Sequence, residues 1–377
     1  MYHPFIININ PNKNEINNKT DNIVLSPRIS YPLFALGFHS YLHRTRSAME
    51  ITENLQTKEK FYYVVNPFEP NISNYEDDIT SLTKKYFNYN KDIPHEFLNI
   101  WEILFALDII NKNKIDVLIL SDGISDVLDL YKDKLDANLN IIANEKNIKK
   151  KNSFDLIVSS QNIIVDDENF IEQHFYKELL TTIVKILKNQ SDNGNSVIKI
   201  YDTMTIVSLK IINLISSFYD DTFIYKPFIS RESDSEKYLI LKKFKAPKNA
   251  DNLIKILEDI IKLIDNKNKD FTNDIFPEMV LSKEFMGIFK FINIRLINNQ
   301  QIMINEIIKY IKENNYFGDK YHIFRDKQIE STKWWISTFY PPSKNLYEKN
   351  QTDISKLYKT TLDKTNLECK KFLETLI

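Results

Sequence analysis

Asn195 to Phe244, NSVIKIYDTMTIVSLKIINLISSFYDDTFIYKPFISRESDSEKYLILKKF, reads as strand, helix, strand, tight loop and strand. Val197, Ile198 and Ile200 surround a single Lys199, the pattern of a buried strand whose end carries a functional side chain. Thr203 is the expected helix N-cap, and Val207, Ile211, Leu214, Ile215 and Phe218 keep helical spacing behind it. Thr222 to Phe228 forms a second strand, stopped by Pro227 and the polar loop SRESDSE. Lys237 to Phe244 returns as a third, with Tyr238, Ile240 and Lys242 alternating against Leu239, Leu241 and Lys243. A βα unit closed by a hairpin is the end of an open α/β sheet whose last strand runs antiparallel to its parallel neighbours.

Two more apolar strands precede this unit, at Asp116–Ser121 and Phe154–Ser160, with a weaker one at Leu139–Glu145. Phe97 to Ile110 is an amphipathic helix leading into the first of them. Tyr31 to Gln56 has helical spacing and carries His39, His43, Arg44 and Arg46, while FYYVVNPF (Phe61 to Phe68) reads as an apolar strand ended by Pro67. Residues 1–30 read as a polar, irregular arm. From Asp251 onward only helical periodicity is visible, and Pro247 marks the junction. The expected division is 1–95, an arm and lead-in; 96–246, the α/β domain; and 247–377, a helical C-terminal region.

The words go further than the periodicity. Gly194-Asn195, VIKI, Tyr201-Asp202-Thr203, then YKP, Ser230-Arg231 and SEKYL resemble the C-terminal half of the FtsJ-type RNA ribose 2′-O-methyltransferases, most like the divergent branch of large DNA viruses. FYYVVNPFEP and FLNIWEIL resemble the lead-in of the viral members, extending the likeness over about residues 30–245. The resemblance implies a Rossmann-like methyltransferase sheet, parallel with one antiparallel strand, followed here by the helical region. It also implies S-adenosylmethionine as cofactor if the chain is active, and capped or other RNA as partner.

Such enzymes use a Lys-Asp-Lys-Glu set in which carboxylates order the lysines and tune them for the ribose 2′-hydroxyl proton. On this resemblance Lys199 and Glu236 hold the last two positions. PHEFLNIWEI puts Asn99 where the first lysine belongs, and FDLIVSSQN puts Ser160 where the aspartate belongs. The cofactor loop, small and glycine-rich in the family, is Ser121-Asp122-Gly123-Ile124-Ser125-Asp126 here. Only Gly123 survives, β-branched Ile124 follows, and Asp126 would face the cofactor's own carboxylate. Only 5 glycines occur in the chain, against an average usage of roughly 7%. Glu145 stands where a ribose-binding acid would, although one acid after a strand reads more readily as a surface turn. A degenerate family member, a pseudoenzyme binding RNA or a protein partner in viral mRNA cap processing, is the expected function. An active methyltransferase using shifted groups such as Lys91, Asp92 or Asp155 is the alternative.

Composition bounds the rest. In 377 residues with a net charge of −1, nucleic-acid affinity requires a local basic patch, for which Arg44, Arg46, Lys149, Lys150, Lys151, Lys226 and Arg231 are the candidates. One cysteine, Cys369, excludes a disulfide framework and suits a reducing, cytoplasmic location, of the host or in a virion if viral. No run has the apolar length of a membrane span. His39 and His43 have metal-ligand spacing without a third ligand and read as a solvated or RNA-facing helix, so no metal is expected. Asp166, Asp167 and Glu168 read as a cap for the following helix. Trp334 and Trp335 read as burial of a C-terminal helix before base stacking.

Overall fold

Strand alternation divides the molecule into two cores. The computed structural model describes residues 4–11, 22–30, 36–52, 55, 62–110, 114–121, 124–135, 138–142, 153–266, 270–314, 316 and 318–376. In chain order, β1 (Phe5–Asn8), β2 (Ile23–Ser26), α1 (Leu36–Ser47) and α2 (Ile79–Phe87) lead to α3 (His95–Ala106). Then come β3 (Ile115–Ile119), α4 (Ser125–Leu135), β4 (Leu139–Ile142), β5 (Phe154–Ser159), α5 (Ile171–Asn189) and β6 (Gln190–Ile200). The stretch that opened the sequence reading supplies the end of β6, α6 (Ile206–Ser216), β7 (Tyr219–Lys226) and β8 (Lys237–Phe244). The chain finishes with α7 (Ala250–Asn266), β9 (Phe271–Ile275), α8 (Lys283–Lys312), α9 (Asp319–Phe339) and α10 (Lys344–Glu374).

The main sheet has the order β1-β7-β8-β6-β5-β3-β4. β4, β3, β5 and β6 are parallel neighbours, and β8 runs antiparallel between β6 and β7. This is the Rossmann-like methyltransferase arrangement with its inserted antiparallel strand. Because successive side chains face opposite sides of a strand, Val117, Leu156, Val158, Val197, Tyr238 and Ile240 pack with α3, α4, α9 and α10. Leu118, Ile157, Ile198, Ile200, Leu239 and Leu241 pack with α5, α6, α7 and α8 on the other face. The C-terminal helices therefore complete both cores of the sheet. α6 and the body of α3 are apolar nearly all round, and both are buried on every side.

Several sequence expectations change. Residues 5–8 and 23–26 are strands rather than an irregular arm: β1 adds to the edge, antiparallel to β7, and β2 pairs with β9 in a small second sheet. Ile6 and Ile7 each enter one of the two cores, which stabilises a segment too short to announce itself between polar flanks. β8 consequently lies third from that edge instead of beside it. Residues 62–65 form a 3-10 turn, not a strand; Tyr62, Val64 and Val65 are buried against Ile307, Tyr310 and Ile311 of α8. The helix expected over 31–56 is α1 followed by a 3-10 turn at Ala48–Thr52. The N-cap of α6 is Thr205, whose side chain accepts from the Ser208 N–H, and Thr203 instead donates to Asn293 Oδ1 at 3.0 Å.

Glu102 fastens α9 and the β7–β8 loop to α3. Fully buried, its carboxylate accepts from Trp335 Nε1 at 2.9 Å, from the Phe228 N–H at 2.8 Å and from the Tyr225 hydroxyl. Burial raises its pKa, and these donors act against that rise.

Candidate active site

Parallel α/β sheets place their sites at the carboxyl ends of the strands. β6 ends with Lys199 and Ile200, and alternation turns Lys199 toward the α3 face, opposite Tyr238 of β8 in register. Glu236 lies one residue before β8 and therefore meets Lys199 from the neighbouring strand. α3 starts directly after Pro94, so its first turn presents His95, Glu96 and Asn99 to the same spot.

These groups form one cluster with Asn162. Lys199 Nζ stands 2.8 Å from Glu236 Oε2 and 3.3 Å from Glu96 Oε1, and donates to Asn162 Oδ1 at 2.7 Å. Asn99 Nδ2 donates to Glu236 Oε1 at 3.1 Å, while its own Oδ1 is buried without a partner among the described residues. His95 donates from Nε2 to the Ile229 carbonyl at 2.9 Å and brings Nδ1 to 3.4 Å from Glu236. Burial by itself lowers the pKa of Lys199, but Glu236, Tyr238, Tyr201 and Glu96 outweigh it and hold the amine above the ordinary lysine value. Burial pushes Glu236 up, yet the His95 hydrogen bond and the Lys199, His95 and Lys226 charges keep it well below the usual carboxylate range. His95 is raised: burial is overcome by its bond to Glu236. The cluster is a set of ion pairs in their charged forms.

Lys199, Glu236 and Asn99 thus converge as the motifs implied. Ser160 joins only indirectly, through a 3.3 Å hydrogen bond between its Oγ and the Tyr238 hydroxyl. His95, Glu96 and Asn162 were not foreseen. Asn162 follows Ser160 by two residues, and its loop is fixed by Tyr201, which donates to the Gln161 carbonyl and accepts from the Ile163 N–H.

The cofactor side looks different. The switch point of the sheet lies between β3 and β5, where connections leave in opposite directions. There the Ser160 N–H donates to Ser121 Oγ at 3.0 Å and Gln161 Nε2 to the Leu120 carbonyl at 3.0 Å, tying the two strand ends together. Ile124 is fully buried in the α3-side core. Asp126 takes a 2.8 Å hydrogen bond from Lys91 and another from Tyr89, and these lower its pKa. Asp122, Gly123 and Glu145 lie outside the described residues, as do Lys149, Lys150 and Lys151.

The groups expected to serve an active enzyme from shifted positions have other partners. Lys91 is paired with Asp126, Asp92 lies 3.4 Å from Lys84, and Asp155 accepts from the Asp116 N–H at the amino end of β3. The foreseen basic face is also broken up. Arg46 is buried in a two-pronged pair with Asp202 at 2.7 and 3.0 Å, and Arg231 grips Glu69 at 2.7 and 2.8 Å. Lys226 donates to Ser230 and to the Asp234 and Glu236 carbonyls, leaving Arg44 as the exposed member of the set among the described residues. The His39 and His43 rings meet at 3.6 Å, tilted by 47°, and burial lowers both, His43 to about 4. Among the described residues no cluster of three metal-ligating side chains occurs, and no helix is long and apolar enough to cross a membrane. Asp167 caps the 3-10 turn that opens α5, accepting from the Asn169 N–H at 2.9 Å. Trp335 is fully buried, and Trp334 packs edge-on to Phe68 and Phe228.

Comparison with known proteins agrees with the sheet. Residues 99–244 match the FtsJ-like methyltransferase family. An uncharacterized protein of Acanthamoeba polyphaga mimivirus is 26% identical over 300 residues, covering 76% of this chain and 80% of that protein. A cap-specific mRNA (nucleoside-2′-O-)-methyltransferase 1 of Dictyostelium discoideum is 30% identical over 112 residues, 29% of this chain and 15% of that protein. With the inserted antiparallel β8, the segment 99–244 is similar to the FtsJ-like methyltransferase family.

Proposed function

We propose that this chain is a catalytically silent FtsJ-like protein of viral mRNA cap or RNA processing, retained as an RNA- or partner-binding subunit. The observation that carries the reading is the state of Lys199. At the ordinary lysine pKa near ~10.4 the neutral amine is already below about one part in a thousand at pH 7. Two carboxylates and an amide oxygen hold Lys199 further on the charged side. An ammonium whose partners are in place has no capacity to take the ribose 2′-hydroxyl proton. Asn99 and Ser160 supply hydrogen bonds where the family pattern has charges, and the Ser121–Ser160 and Gln161–Leu120 bonds tie together the strand ends beside the switch point.

In this reading residues 96–246 are the methyltransferase-like domain, 1–95 its lead-in and 247–377 its helical extension, working in host cytoplasm or virion. One observation favours an active 2′-O-methyltransferase instead: Glu96 brings a second carboxylate to Lys199, where the family pattern uses an aspartate. Titration calorimetry with S-adenosylmethionine separates the two. No stoichiometric heat is expected, and one-to-one binding would overturn the silent reading.

A further inference from the structure

α1 stands apart from both cores of the sheet. Of its described side chains only Leu42 and Arg46 are buried, and Leu42 packs with Met204 and Ile297 in a cluster of its own. Among the described residues Arg46 carries every hydrogen bond that joins α1 to the rest of the molecule. Beyond its two bonds to Asp202 it reaches the Glu168 carbonyl and Gln300 Oε1, each at 3.4 Å. A helix of 12 residues is marginal by itself in water, so α1 takes its order from this docking face. The 3-10 turn that follows is fixed separately, with Met49 and Ile51 packed against the cluster of Ile307, Tyr310 and Ile311. α1 can leave without carrying that turn away.

The docking face is built from bases. Helical spacing puts His39, Leu42, His43 and Arg46 on one side of α1. His43 Nε2 is buried with no hydrogen-bond partner among the described residues, and the ring meets that of His39. A proton on His43 would place a charge among groups that cannot solvate it, beside a second imidazole and the Arg46 cation. Burial first, then His39 and Arg46, hold His43 down to about 4, and Asp202 and Asp167 oppose this without reversing it. His39 is lowered by burial too, with Asp202 opposing and Arg46 reinforcing. Docked α1 therefore keeps both imidazoles neutral.

The charges that face Arg46 from the other elements act in the same sense. Asp202 at the end of β6, Glu168 of the 3-10 turn and Glu172 of α5 all favour the guanidinium, and α8 contributes only the uncharged Gln300. Burial and Asp202 raise Glu172 to about 7, so acidification removes that anion early. Glu168 is raised by burial, with Asp234 of the β7–β8 loop and Asp167 adding to the rise. Lys237 of β8 is lowered by burial to about 8, Asp202 opposing and Lys226 and Arg46 reinforcing, and gains its proton on the same descent. Each step makes the pocket less attractive to a cation.

We propose that α1 is an acid-released latch at the end of β6, docked through Arg46 on Asp202 while His39 and His43 are neutral and freed when they take up protons. Each docked imidazole lies below its free value of 6.5, so its contribution to docking is complete above 6.5 and is lost as pH falls through the docked value. His43, docked at about 4, by itself weakens docking roughly tenfold between pH 7.5 and 5.5. The latch adjoins the candidate site. Asp202 follows Tyr201, whose ring lies 5.4 Å from Lys199 Nζ and whose carbonyl accepts from Lys237, the neighbour of Glu236. Release would uncover Asp202 beside that cluster, whichever way the methyl-transfer question falls.

The test is amide hydrogen exchange of the full chain, read by mass spectrometry at pH 7.5 and 5.5 and corrected for the intrinsic pH dependence of exchange. Protection across α1 should fall at least about tenfold at the lower pH, while α5 changes by less than about twofold. In the double variant His39→Gln/His43→Gln the same drop in pH should lower α1 protection by less than about threefold. Arg46→Lys keeps the charge but loses the two-pronged grip, and should lower α1 protection at both pH values. Wild-type α1 protection that is absent at pH 7.5 or equal at the two pH values would overturn the proposal. So would an equal loss in the glutamine variant, a variant α1 already unprotected at pH 7.5, a fall shared by α5, or an unaltered Arg46→Lys.

Discussion

At the scale of the residue, the site is a balance of charges around Lys199. His95 has its pKa raised by Glu236, so its bond contributes stability fully below the unfolded value of 6.5 and loses it as pH rises through the higher folded value. Glu236, depressed, contributes in the opposite sense, above the ordinary carboxylate value and fading only in strong acid. Wild-type protein should therefore lose stability relative to His95→Gln as pH is raised from 6 to 9, read as the difference between their urea midpoints. Groups that titrate nearby, such as Lys237 at about 8, are common to both proteins and cancel in that difference. A constant difference across the range would show that His95 is not held as the imidazolium. Lys199, Glu236 and Asn99 were legible beforehand because they sit inside motif words at strand and helix ends. His95, Glu96 and Asn162 were not, because nothing in their local sequence tells that a helix start and a loop approach the same amine. Arg46 was misread for a related reason: its partner Asp202 lies 156 residues away.

At the scale of the element, β-branched runs with clear stops were readable, and β8 occupies the expected span Lys237–Phe244. β1, β2 and β9 have only four or five residues each and take their strand character from partners distant in sequence. Tyr62 to Val65 has strand composition but finds a helix surface rather than a strand edge, so tertiary burial overrides propensity. The apolar helices of the C-terminal region were visible, but their docking was not. Glu102 makes that docking specific, since Trp335 of α9 is the hydrogen-bond donor to its Oε2. Replacing the indole in Trp335→Phe leaves a buried carboxylate oxygen short of a donor, which should cost about 1–3 kcal/mol. The measurement is a lower urea midpoint at unchanged slope. An unaltered midpoint would mean that Glu102 does not tie α9 to α3.

At the scale of the whole molecule, the sheet has one face closed by α7 and α8 with α5 and α6, and the other by α9 and α10 with α3 and α4. Residues outside the family segment thus build both cores, and the mimivirus relative matches over 300 residues, well beyond that segment. An FtsJ-like sheet so enclosed keeps the Lys199–Glu236 pair as a buried ionic joint, where losing one partner would strand the other's charge. The same enclosure surrounds a strand-end crevice bridged by Ser121 and Gln161, which the silent reading proposed above takes as a scaffold kept without its chemistry. Transfer of labelled methyl from S-adenosylmethionine to capped and uncapped RNA, for wild type beside Lys199→Ala, decides whether that description holds. Neither protein should incorporate label above the RNA-free background. Incorporation by wild type that disappears in Lys199→Ala would contradict it and make Lys199 catalytic.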